Sequence, residues 1–212
     1  KIVEAVMKIV LLGGLCYDVK TYIANLLCKD SECYFKTSFA KALKDELHDA
    51  GIIDKKLLND KGYKSGVRGI MQRYGQEKRA ADPFYLARIV ESKIADPSPE
   101  GVVFVDDWRF KNEAQYFIDK GYQVFKIYIK RNDFNKLNSV GKATLDDYYL
   151  NAHNDESEQE LWTLSKEWID GAPYFDLIYY NNDKDDAKIL ADLLPVVRDW
   201  RVVKRYAMQE RF

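Results

Sequence analysis

Residues 9–21 of the chain read IVLLGGLCYDVKT, and this stretch decides the fold. Its four apolar residues predict a buried strand, and the spacing of Ile23, Leu26 and Leu27 predicts a helix. Between them the loop follows part of the Walker A pattern G-x-x-x-x-G-K-[ST]. In that pattern backbone N–H groups surround a phosphate, and the Lys reaches the β- and γ-phosphates. The stretch therefore predicts a phosphate-binding loop between the first strand and the first helix.

The loop keeps only part of that pattern. Gly14, Lys20 and Thr21 match it, but Val19 occupies the place of the second glycine. A β-branched residue resists the positive φ and the close backbone approach that glycine permits. Asp18 adds a negative charge beside the phosphate position, which opposes binding. We therefore expect an altered phosphate site, and a plain strand-to-helix turn is the alternative.

The composition indicates a single α/β domain. The chain has 212 residues, 47% of them apolar, which is enough for a substantial core. The formal net charge of -1 removes the global electrostatic reason to expect nucleic-acid binding. No run approaches the roughly 18 apolar residues of a membrane span, so we expect no membrane association. Cys16, Cys28 and Cys33 lack metal-ligand spacing, which indicates reduced thiols, a cytoplasmic compartment and no zinc site.

Five short apolar runs alternate with helical patterns. The runs are residues 9–12, 34–39, 102–105, 124–129 and 177–180. They predict a five-stranded, mostly parallel sheet covered by helices on both faces, as in P-loop NTPases. One helix is predicted from about Asn112 to Lys120 with Gly121 beyond its end, and a last helix follows the acidic residues near Asp183.

Two long segments lie outside the predicted sheet. Residues 41–95 are helical in pattern, with a loop at 59–66 and a proline-containing end at 96–99, and residues 130–172 are polar. Insertions after the strands of an open sheet lie where ligands bind, at the carboxyl ends of the strands. We therefore expect one domain spanning 1–212, with an acceptor-binding region at 41–95 and a lid at 130–172.

One predicted strand runs directly into charged side chains. Asp106, Asp107 and Arg109 follow residues 102–105. In a P-loop protein, an Asp at this place can hold Mg²⁺ or its water, and an Arg can bind a phosphate through two parallel hydrogen bonds. An Asp cap with a surface ion pair is the alternative. Arg79 could supply a second cation for the transferring group, or it could lie on a solvated helix face.

Five blocks of sequence agree, in order, with one known pattern. They are residues 7–20, SFAKALK at 38–44, RGIMQRYGQEKR at 68–79 followed by DP at 82–83, DDWRFKNEA at 106–114, and His153 with Ser157 and Glu158. With these blocks the chain resembles the bacteriophage deoxynucleoside monophosphate kinases. This is a P-loop family with the fold of the adenylate kinase class, and it is distantly similar to animal phosphomevalonate kinase. The resemblance covers most of residues 7–197.

The resemblance implies a kinase that uses ATP and Mg²⁺ to convert nucleoside or deoxynucleoside monophosphates to diphosphates. The ATP phosphates would lie against Gly13, Gly14, Asp18, Val19, Lys20 and Thr21, and Thr21 and Asp106 would serve the Mg²⁺. The catalytic residues would be Lys20, Arg79, Asp107 and Arg109. The acceptor would contact Lys44, Arg68, Gln72, Arg79, Trp108 and Arg109. Gln72 and Trp108 are the candidates for the base, with packing under the sheet as the alternative for Trp108.

The departures from the family pattern leave two functions open. The retained Lys20 and Arg109 favour an active kinase. Asp18 and Val19 favour a catalytically impaired descendant that binds a nucleotide or a protein partner with a kinase fold. A mevalonate-type acceptor is a minor branch of the first function. A homodimer is left open by the sequence, and the host cytoplasm would be the compartment of a viral protein.

Overall fold

The structure is a computed structural model. It describes residues 7–15, 19–94, 101–130, 156–165, 168–169, 172–181 and 185–199. The predictions that concern Cys16, Asp18, His153, residues 96–99 and most of the 130–172 segment lie outside these ranges.

The described strands are β1 (Lys8–Gly13), β2 (Tyr34–Thr37), β3 (Val102–Val105), β4 (Gln123–Lys130), β5 (Trp168–Ile169), β6 (Ala172–Pro173) and β7 (Leu177–Tyr180). The described helices are α1 (Lys20–Cys28), α2 (Phe39–Asp49), α3 (Lys61–Ala81), α4 (Tyr85–Lys93), α5 (Lys111–Asp119), α6 (Glu156–Leu164) and α7 (Asp186–Arg198), with a 3₁₀-helix at Lys55–Asn59. None of these helices has the length and apolar character that a bilayer span requires.

Five parallel strands form the central sheet in the order β2-β3-β1-β4-β7, which confirms the predicted fold class. β1 is central, because Lys8 lies opposite Val102 of β3 and Gln123 of β4. The chain first moves outward from β1 to β2 and later crosses to β4 on the other side. In open α/β sheets, ligands bind at the carboxyl ends of the strands where the winding direction reverses in this way. The loop after β1 lies at that point.

The residues of β1 alternate between two core layers. Ile9 and Leu11 pack on the side of α2, α4 and α5, whereas Val10 and Leu12 pack on the side of α1 and α7. All four side chains are fully buried. Because side chains of a strand point to opposite faces in turn, a strand covered on both faces is apolar at every position. This explains why the first apolar run of the sequence is unbroken.

β2 ends earlier than its apolar pattern predicts. Ser38 caps α2, since its Oγ accepts a hydrogen bond from Lys41 N at 3.0 Å. Phe39 is then the first residue of α2, and its side chain is buried in the core. The predicted strand 34–39 is therefore wrong at its last two positions, because apolar character alone does not separate a strand end from a core-facing helix start.

The first insertion contains α3, the longest helix, which begins earlier than the sequence predicts. Asp60 caps this helix, and its Oδ1 accepts from Tyr63 N at 2.8 Å. The loop predicted at 59–66 is wrong, because the cap outweighs Gly62 and Gly66. Each of these glycines disfavours a helix by only about 1 kcal/mol.

Two carboxylates hold α4 against the helices beside it. Glu46 of α2 accepts hydrogen bonds from the hydroxyls of Tyr74, at 2.8 Å, and of Tyr85, at the start of α4. Glu91, near the end of α4, accepts from the hydroxyl of Tyr116 on α5. Contacts of this kind join the first insertion to the sheet layer, so α3 and its C-terminal residues have a defined position over the strand ends.

Candidate active site

Two described residues of the loop after β1 have positive φ angles. Gly14 has φ of 141°, and Val19 has φ of 57° and ψ of 27°, in the left-handed region. Val19 is the one non-glycine residue with a positive φ in the described part of the chain. That conformation costs an L-residue with a Cβ roughly 1–2 kcal/mol. Val19 therefore adopts the positive φ that a β-branched residue resists, and the fold imposes the conformation at that cost.

Lys20 is the first residue of α1 and reaches back over the loop. Its Nζ donates hydrogen bonds to the carbonyl oxygens of Gly14, at 2.8 Å, and Leu15, at 2.6 Å. The ammonium group thus lies near the N-terminus of α1, where free N–H groups and the helix dipole also favour an anion. Thr21 follows on the same helix turn and is exposed. The described part of the predicted ATP-phosphate site therefore forms one loop–helix junction.

Gly13 and Trp108 serve the packing of this junction. A Cβ on Gly13 would lie 2.9 Å from Leu161 Cδ1 and 3.2 Å from Trp108 Cε3, so a larger residue there would require both side chains to shift. Trp108 is 0% exposed, and its Nε1 donates to the carbonyl of Phe110 at 2.7 Å. The ring of Trp108 therefore has no surface available for stacking in this structure. This burial favours the alternative of packing under the sheet, and the base contact of Trp108 stays a prediction.

Asp106 and Asp107 each have defined partners. Asp106 is 4% exposed, and its Oδ2 lies 3.3 Å from Lys36 Nζ. The two carboxylate oxygens of Asp107 accept from the backbone N–H groups of Phe39, at 2.8 Å, and Ala40, at 2.7 Å, in the first turn of α2. Asp107 therefore anchors the start of α2. Because both of its oxygens already accept hydrogen bonds, the geometry fits an anchoring role better than that of a general base.

Thr21 and Asp106 are the predicted residues for Mg²⁺. Within the described ranges, no group of three or more His, Cys, Asp or Glu side chains is arranged to hold a metal ion by itself. Mg²⁺ in phosphoryl-transfer sites is usually held by one or two protein oxygens together with nucleotide phosphates and waters. Thr21 and Asp106 therefore stay predictions for a Mg²⁺ that arrives with ATP, and Lys36 would have to share Asp106 with it.

Arg79 lies in the last turn of α3 and is half-buried over the ring of Phe110, with its Cζ 4.5 Å from the ring centroid. Its Nε is buried, and among the described residues it has no hydrogen-bond partner. Leaving a buried donor unpaired costs about 1–3 kcal/mol. Gly75, one turn earlier, leaves room for the guanidinium, since a Cβ there would lie 3.3 Å from Nη1 of Arg79. The unpaired donor points to a ligand that accepts a hydrogen bond.

The charged groups around Arg79 are shifted toward their neutral forms. Burial lowers the pKa of Arg79, although the charge of Glu113 opposes the change. Burial also raises the pKa of Asp107, and it raises the pKa of Glu113 to about 7. The charge of Arg109 lowers the pKa of both Arg79 and Asp107. Ionisable groups that are costly to keep charged cluster at functional sites, so this group is the candidate acceptor site.

Glu113 is the site residue that sequence reasoning did not select. Its side chain is 2% exposed, and its Oε2 accepts from the backbone N–H groups of Arg109, at 3.2 Å, and Phe110, at 3.1 Å. An acidic residue in the first turn of a helix is a capping signal that could have been noticed. Its position beside Arg79, however, follows only from the way the last turn of α3 lies against the start of α5.

The remaining predicted acceptor residues lie on α2 and α3. Arg68 and Gln72 are exposed on α3, and their spacing from Arg79 places all three on one face of that helix. Lys44 is half-buried on α2. The acceptor-binding roles of Arg68, Gln72 and Lys44 stay predictions.

A family model described as phosphomevalonate kinase matches residues 19–123, about half of the chain. The matched range begins at Val19, and it includes the first insertion and the segment from Asp106 to Glu113. No curated protein sequence matches the chain at a significant level.

The fold is similar to those of solved kinases. Shikimate kinase from Aquifex aeolicus vf5 gives a TM-score of 0.45 at 10% identity, over 89% of this chain and 95% of that chain. The APS kinase of Mycobacterium tuberculosis, solved in complex with AMPPNP and APS, gives a TM-score of 0.41 at 16% identity, over 90% of this chain and 98% of that chain. The family match and the parallel α/β fold together support a phosphotransferase of the P-loop kinase class.

Proposed function

We propose that the protein transfers the γ-phosphoryl group of ATP to the phosphate of a small phosphomonoester. The observation that supports this most strongly is the half-buried Arg79, whose Nε has no partner among the described residues and whose charge interacts with that of Arg109. A phosphate accepts hydrogen bonds from guanidinium groups in a planar, paired geometry. In the reaction, an acceptor phosphate oxygen would form a bond to the γ-phosphorus while the bond to the β-phosphate bridging oxygen breaks.

The order of the strands supports a donor region and an acceptor region that lie side by side. Lys20 follows β1, and Arg109 follows β3, which is the neighbour of β1 in the sheet. Adjacent strands lie about 4.8 Å apart, so the loops that follow them are close enough to present two phosphates to each other. We propose that residues 41–95 bind the acceptor and that residues 130–172 act as a lid. A lid would exclude water from the transferring group.

ATP would supply the phosphoryl group, and Mg²⁺ would neutralise its phosphate oxygens when bound. On this proposal, Lys20 and the N–H groups at the start of α1 hold the β- and γ-phosphates, with Thr21 and Asp106 toward the Mg²⁺. Arg79 and Arg109 hold the acceptor phosphate and offset the charge that develops during transfer. Asp107 keeps the start of α2 in place beside them.

Two acceptor classes fit this function. The family match favours a phosphomevalonate-type acceptor, and the burial of Trp108 is consistent with an acceptor that lacks a base. Nucleoside and deoxynucleoside monophosphates are the second class, since the exposed Gln72 lies on the same face of α3 as Arg79 and could bind a base edge.

A coupled assay of ADP release tests the proposal. The full chain with Mg·ATP would be offered phosphomevalonate and each nucleoside and deoxynucleoside monophosphate, and the Lys20→Ala variant, purified in the same way, would report any contaminating kinase. Turnover above that control with one acceptor class is the expected result. Absence of turnover with every acceptor would contradict the proposed activity.

A catalytically impaired nucleotide-binding protein is the second candidate function. Two observations favour it: Val19 stands in the left-handed region at a glycine position, and Lys20 donates to carbonyl groups of its own loop. On this reading, calorimetric titration detects binding of Mg·ATP while the coupled assay detects no ADP release with any acceptor.

A further inference from the structure

The carboxylate of Glu113 combines deep burial with a structural task. It is 2% exposed, and one of its oxygens, Oε2, accepts from the backbone N–H groups of both Arg109 and Phe110. These two bonds set the start of α5 and the main chain that carries the Arg109 side chain. A neutral carboxyl group retains a carbonyl oxygen that can accept the same two bonds. The positioning task of Glu113 therefore does not require its negative charge.

The charge of Glu113 has a separate effect. Among the described residues, the charges that act on it are those of Arg79, from α3, and Asp107, from the segment after β3. Arg109 acts in turn on Arg79 and Asp107. The α4 helix, which packs beside α5, contributes Glu91, whose carboxylate is bonded to Tyr116. The charges of these two arginines, Arg79 and Arg109, and of the two carboxylates, Asp107 and Glu113, sum to zero before any ligand enters.

A dianion added to these four groups makes their summed charge negative. An excess charge of this kind in a low-dielectric site is unfavourable, and it is relieved when a neighbouring carboxylate takes up a proton. Asp107 is the poorer candidate for this proton, because each of its two oxygens accepts a backbone hydrogen bond. Glu113 uses a single oxygen for its backbone bonds, which leaves the other for the proton.

We infer that Glu113 exchanges its negative charge for that of the ligand: when a dianionic phosphate-type group binds at Arg79 and Arg109, the carboxylate of Glu113 takes up one proton from solvent. The inference rests on the acceptor site of the proposed function. It makes Glu113 a positioning residue whose bonds to Arg109 and Phe110 persist while its charge is removed. Burial raises the pKa of Glu113 to about 7, so this proton uptake falls in the neutral pH range.

Calorimetric titration with sulfate tests the inference. Sulfate is a dianion that does not itself titrate between pH 5.5 and 8.5, so any proton uptake belongs to the protein. The full chain would be titrated at pH 7.5 in two buffers of different ionisation enthalpy, and the difference in binding heat gives the number of protons taken up. We expect between about a half and one proton per sulfate at pH 7.5.

The variants Lys20→Ala and Arg79→Ala assign the binding event to this site. Sulfate can also bind at the start of α1, so the relevant event is the one that persists in Lys20→Ala and is lost in Arg79→Ala.

Glu113→Gln keeps a carbonyl oxygen for the two backbone bonds and is neutral at every pH. It should bind sulfate without proton uptake and with an affinity independent of pH. Glu91→Gln changes a carboxylate on the neighbouring helix and should leave the uptake unchanged.

The pH dependence of the wild type is a test that needs no variant at Glu113. Its sulfate affinity should fall as the pH rises, approaching tenfold per pH unit above pH 7. A flat profile, proton uptake that persists in Glu113→Gln, or the absence of any sulfate binding that depends on Arg79 would each overturn the inference. If Glu113→Gln does not fold, the wild-type profile decides. If the protein transfers phosphoryl groups but binds sulfate without proton uptake, the proposed function stands and only this inference is removed. If it binds sulfate with proton uptake but transfers no phosphoryl group, the proposed activity is removed and the inferred anion site remains.

Discussion

The donor loop, between β1 and α1, and the acceptor site, around Arg79 and Glu113, are each destabilised by a different kind of energy. In the donor loop, the cost is conformational: Val19 holds a left-handed backbone that glycine would adopt freely. In the acceptor site, the cost is electrostatic, because Arg79 and Glu113 are buried where their charged forms are disfavoured. Val19 alone creates the conformational cost, whereas the electrostatic cost requires side chains from both α3 and α5. A single substitution can therefore change the conformational cost of the donor loop, whereas the acceptor site depends on residues of both α3 and α5.

The largest effect is expected at the donor loop. Lys20→Ala should lower kcat by about 10²- to 10³-fold, because it removes a cation preorganised for the transferring charge. The protein should still fold, with an unfolding free energy lowered by about 1–3 kcal/mol, since Lys20 loses charge-assisted hydrogen bonds to loop carbonyls. ADP release and thermal denaturation measure the two quantities. Lys29→Ala, at an exposed residue after the same helix, is the control. Unchanged turnover in Lys20→Ala would show that the loop is not the donor site.

The next effect is expected at the acceptor site. Arg109→Ala should raise KM for the acceptor and lower kcat, with a loss of roughly 10- to 100-fold in kcat/KM, because it removes charge-assisted hydrogen bonds worth about 1.5–3 kcal/mol. Steady-state kinetics with varied acceptor give both parameters. Arg88→Ala, which removes an exposed ion pair with Asp82, should leave them unchanged. If Arg109→Ala lowers the melting temperature but changes neither kinetic parameter, Arg109 is a structural residue and the proposed acceptor site is contradicted.

The electrostatic cost of the acceptor site predicts a pH-dependent stability. The folded-state pKa of Glu113 is about 7, above the value of about 4.5 for a free Glu, so the folded protein binds the proton more tightly. The unfolding free energy should therefore decrease as the pH rises from about 4.5 to about 7 and level off above it, by up to about 3 kcal/mol from this group. Urea unfolding of the wild type and Glu113→Gln across this range would show the difference. Parallel pH profiles of the two proteins would mean that Glu113 carries no such cost.

The smallest effect is expected from repair of the donor loop. Val19→Gly removes the left-handed penalty of about 1–2 kcal/mol but adds unfolded-state entropy worth about 0.5–1 kcal/mol, so stability should rise by no more than about 1 kcal/mol. The glycine should also let the backbone approach the β-phosphate and tighten Mg·ATP binding in calorimetry. Val19→Ala keeps a Cβ in the left-handed region and is the matched control. Tight binding by the wild type would show that Val19 is no impediment, and no binding by either protein would favour the impaired-kinase function.

Local patterns predicted most of the fold. Residues 9–12 and 102–105 are apolar without interruption because both faces of the central strands are covered, and their positions in the structure agree with the prediction. Gly121, with φ of 85°, lies just beyond α5 as its C-terminal signal indicates. The errors occur where a cap decides an element's start: Ser38 ends β2 early, and Asp60 begins α3 early. A capping hydrogen bond depends on backbone geometry, which a count of apolar residues does not contain.

By itself, the sequence determined the order of strands and helices, the loop between β1 and α1, and the charged residues that follow β3, because each of these is encoded by neighbours within a few positions. Only the tertiary structure decided that Trp108 is buried, that Val19 is left-handed, and that Glu113 lies beside Arg79. The reason is physical. Burial and electrostatic interaction depend on distances between residues far apart in the chain, and those distances are set when the last turn of α3 lies against the start of α5.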